Sequence, residues 1–270
     1  MKRKLSSPAL MLAGLLVALA SWATLSATAA PDLPSPAKTW EDSRLYVLAP
    51  FAWRSETDQG ILALAARSLS RVIQGFAIAI LAATPIGFLF GLSGTLRKMF
   101  DPLVQMMRPV SPLAWVPLGL VLFASSAPAA VLFTIAMCSM WPTVINTVLG
   151  LDSLPASRRA TSWDQFRRVT LPATLPFTFA GYRVSFGVAW MVMVAAEVMT
   201  KTTGVGGFLY QAWQNHANSL VLLSIIVIGV IGLLLDRLMG VVERKVRSAF
   251  ANAAPHKVPQ ISAMEEEVAA

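Results

Sequence analysis

Long apolar blocks separated by short polar segments dominate this chain of 270 residues. A helix needs roughly 20 residues to cross a hydrocarbon core, and six blocks approach or exceed that length. The first runs from about residue 8 to about residue 30, and the others cover 72–92, 102–123, 128–149, 172–199 and 220–239. The pattern therefore predicts an all-α integral membrane protein with about six transmembrane helices.

The N-terminal block has two interpretations. It follows Met1-Lys-Arg-Lys4 and ends in the small residues Ala27-Thr-Ala-Ala30, as a secretory signal peptide does. Its apolar run is long for a signal, which favours a retained first span. We therefore assign residues 1–30 to a signal-like N-terminal transmembrane helix and 31–66 to a periplasmic loop. Residues 67–247 form the main transmembrane domain, and 248–270 form a disordered cytoplasmic tail.

Charge strengthens the membrane assignment and orients it. Only 13% of the residues are charged and 56% are hydrophobic, whereas a soluble domain carries about 25% charged residues. The net charge of +8 lies mainly between and after the apolar blocks, so it indicates topology rather than nucleic-acid binding. With the N-terminus inside, fourteen basic residues are cytoplasmic and six are external. Six spans satisfy this bias, with both termini and the loop between spans four and five in the cytoplasm.

The chain carries no recognisable catalytic set. Cys138 is the only cysteine, and the two histidines, His216 and His256, are far apart, so neither a disulfide nor a metal site is predicted. We find no phosphate-binding glycine loop, zinc-protease motif or nucleophile triad. We therefore expect no catalytic residue, no metal, no cofactor and no ATP hydrolysis by this chain.

Polar residues within the predicted spans are the first functional candidates: Arg108, Asn146, Arg183 and Glu197. Ionisable groups in a membrane are costly and usually face a bundle interior or a pathway. Arg108 can instead extend towards the cytoplasmic interface. Arg183 lies eleven residues into its span, about 16 Å at 1.5 Å per residue. There, pairing with a carboxylate or with backbone carbonyls is the alternative to a solute-pathway role.

Two segments depart from simple spanning helices. Three prolines within nine residues (Pro109, Pro112 and Pro117) indicate that the third predicted span is more than a simple membrane anchor. In the loop between spans four and five, Ser162 and Gln165 fit a capping box, and Trp163, Phe166 and Val169 recur every three residues. This predicts a short helix along the cytoplasmic face that is available to a partner. The alternative is an interfacial loop whose arginines contact lipid phosphates.

These residues carry a family resemblance. The stretch from Trp163 through Arg167-Arg-Val-Thr-Leu-Pro172 resembles the second half of the cytoplasmic signature of ABC importer membrane subunits. Arg108-Pro-Val-Ser-Pro-Leu-Ala-Trp-Val-Pro117, Trp141-Pro-Thr-Val-Ile-Asn-Thr147 and Ala195-Ala-Glu197 resemble the nitrate, sulfonate, taurine and bicarbonate permeases. Thr203-Gly-Val-Gly-Gly-Phe208 is most similar to the nitrate type. The resemblance covers about residues 66–247.

The resemblance implies a permease subunit of an ATP-driven importer in the inner membrane, with nitrate or nitrite as the first solute. Alkanesulfonates such as taurine, and bicarbonate, are the alternatives. The implied partners are the bilayer, a second identical or different permease subunit, two cytoplasmic ATP-binding subunits and a periplasmic substrate-binding protein. The implied ATPase-coupling residues are Ala160, Trp163, Phe166, Arg167, Arg168, Leu171 and Pro172. The implied translocation-pathway residues are Arg108, Trp115, Asn146, Arg183 and Glu197.

The first half of the signature is missing. Ser153-Leu-Pro155 stands where the family has Glu-Ala-Ala, and Arg159 stands where it has glycine. The link is therefore shorter by about seven residues, which is two turns at 3.6 residues per turn. The missing residues would belong to the surface that docks into the ATPase. A membrane scaffold or sensor subunit that transports nothing therefore stays an alternative function for this chain. An intramembrane enzyme is a third class, weakened by the missing catalytic set.

Overall fold

A computed structural model describes residues 7–28, 32–55, 59–107, 109–155, 159–160 and 162–250. These residues form helices joined by short connections, and they contain no β-strand beyond an isolated bridge between Trp53 and Gln59. The helices are α1 Ser7–Thr28, α2 Pro36–Leu48, α3 Ile61–Leu92, α4 Gly94–Met107, α5 Pro112–Leu122, α6 Ala127–Asp152, α7 Trp163–Gln165, α8 Leu171–Thr200, α9 Val205–Gln214 and α10 Asn218–Ala249. A π-helical turn, Phe166–Thr170, joins α7 to α8.

The prediction of an all-α membrane fold is confirmed. Among the described residues, five helical segments are long and apolar enough to cross a membrane. They are Leu10–Thr28, Ile61–Leu92, Ala127–Asp152, Trp163–Thr200 and Asn218–Ala249. The helix that contains the second predicted span begins at Ile61 rather than near Val72, because the stretch before the span continues it without a break.

The third predicted span is not one continuous helix. Its sequence is divided between α4 and α5, and α5 has 11 residues, about 16 Å at 1.5 Å per residue. Proline disfavours helical backbone in the residue before it, so Pro112 restricts Ser111. Ser111 instead caps α5, with its Oγ accepting a hydrogen bond from the Leu113 N–H at 3.3 Å. The local chemistry thus starts a new helix inside the predicted span.

The described chain forms two compact units, and the first comprises the described residues within 7–70 and 194–231. Its apolar core joins the start of α3 to α9 and to the first half of α10. Tyr46 of α2 packs on Phe208 of α9 with ring centroids 5.0 Å apart. The buried members of the core are Ile61, Leu64, Ala65, Val205, Phe208 and Leu223.

The second unit comprises the described residues within 71–193 and 232–250. A seam of buried hydroxyls joins α6 to α8: Thr143 and Ser185 are 2.8 Å apart, and Thr147 donates to Thr178 at 3.2 Å. Helix α3 packs closely on α6, since a Cβ atom on Gly87 would lie 2.8 Å from that of Thr147. Small residues at such contacts are typical of helix packing in membranes.

Candidate functional site

The candidate coupling segment, residues 162–170, is a helical extension of α8. It starts at Ser162, whose Oγ accepts a hydrogen bond from the Gln165 N–H at 3.3 Å, as the capping pattern predicted. Beyond α7 the Leu171 N–H donates to the Phe166 carbonyl five residues earlier, which makes this turn π-helical. The predicted short helix therefore forms, and it continues directly into a long apolar helix.

An aromatic stack shapes the surface of this segment. Trp163 is 74% exposed and stacks on Phe166 with ring centroids 5.5 Å apart. Phe166 meets the edge of Phe88 of α3 at 5.2 Å. Phe166 therefore lies between the two rings, and the indole packs on Phe166 with one face while most of its surface is exposed.

An apolar groove lies beside the stack, with a volume of about 650 Å³. One wall comes from the last turns of α3 and the other from the coupling segment, so Ala160, Trp163 and Phe166 lie together in it. The lining residues are Thr84, Pro85, Phe88, Leu89, Leu92, Ala160, Ser162, Trp163 and Phe166.

The described residues of the short link that precedes this segment, 153–155 and 159–160, contact the end of α6 and the buried cluster beside it. Leu154 is 3% exposed and belongs to a buried cluster with Phe88. The Arg159 guanidinium lies 3.6 Å from the Asp152 carboxylate, which also binds Arg97. The arginine at the position of the expected glycine therefore lies beside the end of α6.

The remaining coupling candidates have different environments. Arg167 and Arg168 are exposed, and Arg168 pairs with Asp164 at 2.8 Å. Leu171 packs against the buried cluster around Phe88, and Pro172 is half-buried in the first turn of α8. The arginines therefore offer charge at the surface, whereas Leu171 helps to hold the segment in place.

The candidate pathway residues do not converge on one site through their described contacts. Arg108 lies outside the described residues. Trp115 is 8% exposed and meets Phe133 with ring centroids 6.1 Å apart. Asn146 is half-buried and donates to the Pro142 carbonyl at 2.8 Å.

Arg183 forms an ion-pair network with α10. Its Nε and Nη2 donate to the two carboxylate oxygens of Asp236 at 2.9 and 3.0 Å, and its Nη1 donates to Glu243 at 3.2 Å. Glu243 also accepts from Arg247 at 3.1 Å. Of the two interpretations offered by the sequence, the carboxylate pair is present; contact with solute stays a prediction.

Glu197 is fully buried near the end of α8. Both of its carboxylate oxygens accept from the Ser68 hydroxyl, at 2.9 and 3.0 Å, and Oε2 also accepts from the Gly206 N–H at 3.0 Å. The Val205 N–H donates to Ser68 Oγ at 2.9 Å. Negative charge is favourable at a helix N-terminus, so this carboxylate holds the start of α9.

Sequence reasoning missed the partners of both charged residues. Asp236 is the one acidic residue in the predicted span 220–239, and a lone acid in an apolar block is a signal that could have paired it with Arg183. Ser68 gave no comparable signal, because its contact with Glu197 joins positions 129 residues apart.

Comparison with known proteins identifies the family. Residues 75–248 match the family described as binding-protein-dependent transport system inner membrane component. A bicarbonate transport system permease protein of Synechococcus elongatus is 39% identical over 253 residues, covering 90% of this chain and 91% of that protein. A nitrate import permease protein of Leptolyngbya laminosa is 37% identical over 218 residues, covering 78% of each chain.

A probable ABC transporter permease protein of Brucella melitensis is 31% identical, covering 91% of this chain and 98% of that protein. The resemblance inferred from the motifs is thereby confirmed. The relatives are transport permease subunits, and the family and the apolar helices together indicate a multi-pass inner membrane protein. The chain belongs to the binding-protein-dependent transport system inner membrane components, as an ABC permease of the nitrate and bicarbonate type.

Proposed function

We propose that this chain is the membrane subunit through which an ATP-driven importer moves a small planar oxyanion, either nitrate or bicarbonate. The observation that carries the proposal is similarity along most of the chain to permeases named for these two solutes. Both solutes are flat, singly charged anions with three oxygens around one atom. A pathway suited to one is therefore chemically close to a pathway suited to the other.

The proposed assembly has four further subunits besides this chain. A second permease subunit, identical or different, completes the pathway, and two cytoplasmic ATP-binding subunits hydrolyse ATP. A periplasmic binding protein delivers the solute. The positive-inside bias supports cytoplasmic termini and a cytoplasmic coupling segment.

The groove beside Trp163 supports coupling to an ATPase. A protein interface is usually dominated by a few aromatic anchors that fill apolar pockets. Trp163 is an exposed aromatic that stacks on Phe166, and the groove next to it is apolar. Arg167 and Arg168 add exposed positive charge at the rim, where charge favours encounter and specificity.

The anchored link favours coupling over the scaffold alternative. A link shortened by two turns could have left the coupling segment without packing contacts to α6. Instead Leu154 packs in a buried cluster with Leu151 of α6, and Phe166 packs against that cluster. The Arg159 guanidinium lies 3.6 Å from the Asp152 carboxylate. Force applied to the coupling segment would therefore reach both α6 and α8.

Within the membrane, we propose Trp115 and Asn146 as residues that line the oxyanion pathway, together with Arg108. Indole, amide and guanidinium groups all supply N–H donors, which an oxyanion requires when it leaves water. Asn146→Leu should lower the rate of uptake and spare assembly with the ATPase. Uptake at the unaltered rate would remove Asn146 from the pathway.

Reconstitution tests the substrate. The chain is placed in liposomes with the candidate ATPase and binding protein, and ATP-dependent accumulation of nitrate, bicarbonate and taurine is measured. The bicarbonate arm is run at alkaline pH, where little freely permeable CO₂ is present. We expect saturable uptake of nitrate or bicarbonate that also stimulates ATP hydrolysis. Uptake of taurine alone would point to a sulfonate permease, and failure to form any complex would favour the scaffold.

The coupling surface is tested by Trp163→Ala. Removing an aromatic anchor from an interface costs about 2 kcal/mol, or roughly thirtyfold in affinity, so co-purification of the ATPase should fall sharply. Trp213→Ala is the matched control, because Trp213 is also exposed, at 62%, and lies in α9. Equal ATPase recovery with the two variants would contradict this docking surface.

A further inference from the structure

The Arg183 network joins α8 to α10 through three hydrogen bonds from one side chain. The guanidinium binds Asp236 through two parallel hydrogen bonds and reaches Glu243 with its third nitrogen. Bidentate arginine–carboxylate geometry is strong and directional. One side chain of α8 therefore forms hydrogen bonds to residues two turns apart on α10.

The sequence of α10 places the groups that contact Arg183 on one side of the helix. Asp236, Gly240 and Glu243 are spaced by four and three residues, so they lie on one face of the helix. A Cβ atom on Gly240 would lie 3.4 Å from Arg183 Cζ, so the guanidinium lies against the helix surface between the two carboxylates. Further along the contact, Gly232 lies against the Trp190 indole, with a Cβ to ring distance of 3.2 Å.

The network also lies at one end of the uncharged stretch of each helix. In α10 the uncharged stretch 219–235 has 17 residues and is followed by Asp236. In α8 the uncharged stretch 184–196 begins just after Arg183 and is followed by the buried Glu197. Seventeen helical residues span about 25 Å, close to the hydrocarbon thickness of a bilayer, about 30 Å. The pair thus lies where the apolar parts of α8 and α10 begin on the side of the coupling segment.

The charges are partly open in this single chain: the Arg183 and Asp236 side chains are 38% and 51% exposed. A charged group facing lipid tails would be costly, whereas one at the boundary is not. The 13 residues from Leu171 to Arg183, about 18 Å end to end at a rise of 1.5 Å per residue, would then extend α8 beyond the hydrocarbon.

We propose that Arg183 is a positioning residue that fastens this extension of α8 to α10, so that both helices move together when an ATPase displaces the Trp163–Thr170 segment. The inference rests on the proposed function, because it gives the network a task in coupling. Arg183 acts through Asp236 and Glu243 and does not bind the solute.

Charge exchange is the decisive test. Arg183→Glu places three carboxylates together, and Asp236→Arg leaves two facing arginines, so each single variant should lose about tenfold or more of its uptake. The double variant restores an opposite-charge pair and should recover most of the uptake. A solute-binding arginine would not be rescued in this way, so a double variant as inactive as Arg183→Glu overturns the proposal.

Two more readouts separate coupling from simple loss of structure. The single variants should still co-purify with the ATPase and hydrolyse ATP, while transporting fewer oxyanions per ATP. In a Cys138→Ser background, Arg183→Cys and Asp236→Cys are combined and joined by a short bis-maleimide, and the cross-linked chain should transport. Loss of transport on cross-linking would mean that the helices must separate.

An experiment can distinguish failure of the proposed role of Arg183, which is to fasten α8 to α10, from failure of the proposed transport function. If the unaltered chain moves neither nitrate nor bicarbonate, the proposed function fails. Thermal unfolding of the same four proteins in detergent still gives a double-mutant cycle for positions 183 and 236 that needs no transport. If the interaction free energy between positions 183 and 236 cannot be distinguished from zero in that cycle, the proposal that Arg183 fastens α8 to α10 is overturned by that result alone.

Discussion

Two charged clusters lie in helices that are apolar enough to span the membrane, and they are built in opposite ways. The Glu197 carboxylate is fully buried and is bound by the Ser68 hydroxyl and the Gly206 backbone N–H. The Arg183 guanidinium is 38% exposed and is bound by carboxylate side chains. The first cluster includes the backbone of α9, whereas the second consists of side chains on two helix surfaces.

The difference separates stability from motion. A buried polar group whose partner is removed loses its hydrogen bond and stays out of water, so the Glu197 cluster should resist change. An exposed ion pair contributes little to the free energy of folding because water competes for both charges, so losing the Arg183 network should leave the fold intact while α8 and α10 no longer move together. We therefore expect changes at Glu197 to affect folding most, and changes at Arg183 to affect transport most.

Glu197→Ala should give the largest loss of stability. It leaves the buried Ser68 hydroxyl and the Gly206 N–H without this acceptor, which should cost about 3 kcal/mol. The midpoint of thermal unfolding in detergent measures the loss. Glu197→Gln retains an acceptor oxygen and should lose clearly less; equal losses for the two variants would show that packing rather than hydrogen bonding is at work.

Gly204→Ala should come next. The backbone of Gly204 is extended, with φ 168°, so the added methyl group is not excluded by backbone conformation. It is excluded by space, because its Cβ would overlap the Glu197 carboxylate, and overpacking of this kind costs about 2 kcal/mol.

Gly229→Ala is the matched control for that variant. Gly229 lies inside α10, and no atom would come within 4 Å of an added Cβ. Alanine is the better helix former, so a gain of about 0.5–1 kcal/mol is expected. If both alanine variants unfold at the same temperature, close contact with Glu197 is not what requires glycine at position 204.

Arg183→Ala should change stability by less than about 1 kcal/mol and yet abolish uptake, while membrane insertion stays normal. Arg183→Lys keeps the charge but cannot form the two parallel bonds to Asp236, so intermediate uptake is expected. Uptake in liposomes and unfolding in detergent are measured on the same preparations. The contrast between the clusters fails if Arg183→Ala unfolds as readily as Glu197→Ala.

Salt should produce the smallest effect. Raising the ionic strength from about 0.1 M to about 1 M shortens the Debye length from about 10 Å to about 3 Å. The coupling between Arg183 and Asp236 in a double-mutant cycle should fall by a few tenths of a kcal/mol. The loss caused by Glu197→Ala should not change, because its partners are buried. Equal salt sensitivity of both clusters would contradict the distinction.

Sequence patterns predicted the features that depend on neighbouring residues. Apolar blocks indicated the long helices because a lipid environment requires apolar surface and complete backbone hydrogen bonding. The capping pattern at Ser162 predicted the start of the coupling segment because the residues involved are three positions apart. The prolines around residue 112 indicated that the third span was irregular, although not that it divides into two helices.

Contacts between distant helices could not be predicted in the same way. Periodicity shows which residues share a helix face, but not which face of another helix meets them. Arg183 was therefore singled out without Asp236, and Glu197 without Ser68. The groove was also missed, because one wall comes from Phe88 and its neighbours in α3, far from Trp163 along the chain.

The π-helical turn before α8 has a consequence for the length of this segment. A π turn holds one residue more than an α turn, and each helical residue advances the chain by about 100° around the axis. Deleting one residue from Phe166–Thr170 would therefore convert the π turn to an α turn and leave Trp163 facing nearly the same direction, whereas deleting two would rotate Trp163 about a quarter turn around the axis of α8. The number of residues here, as well as their identity, determines which direction the indole faces, so we expect this surface turn to tolerate one deletion much better than two.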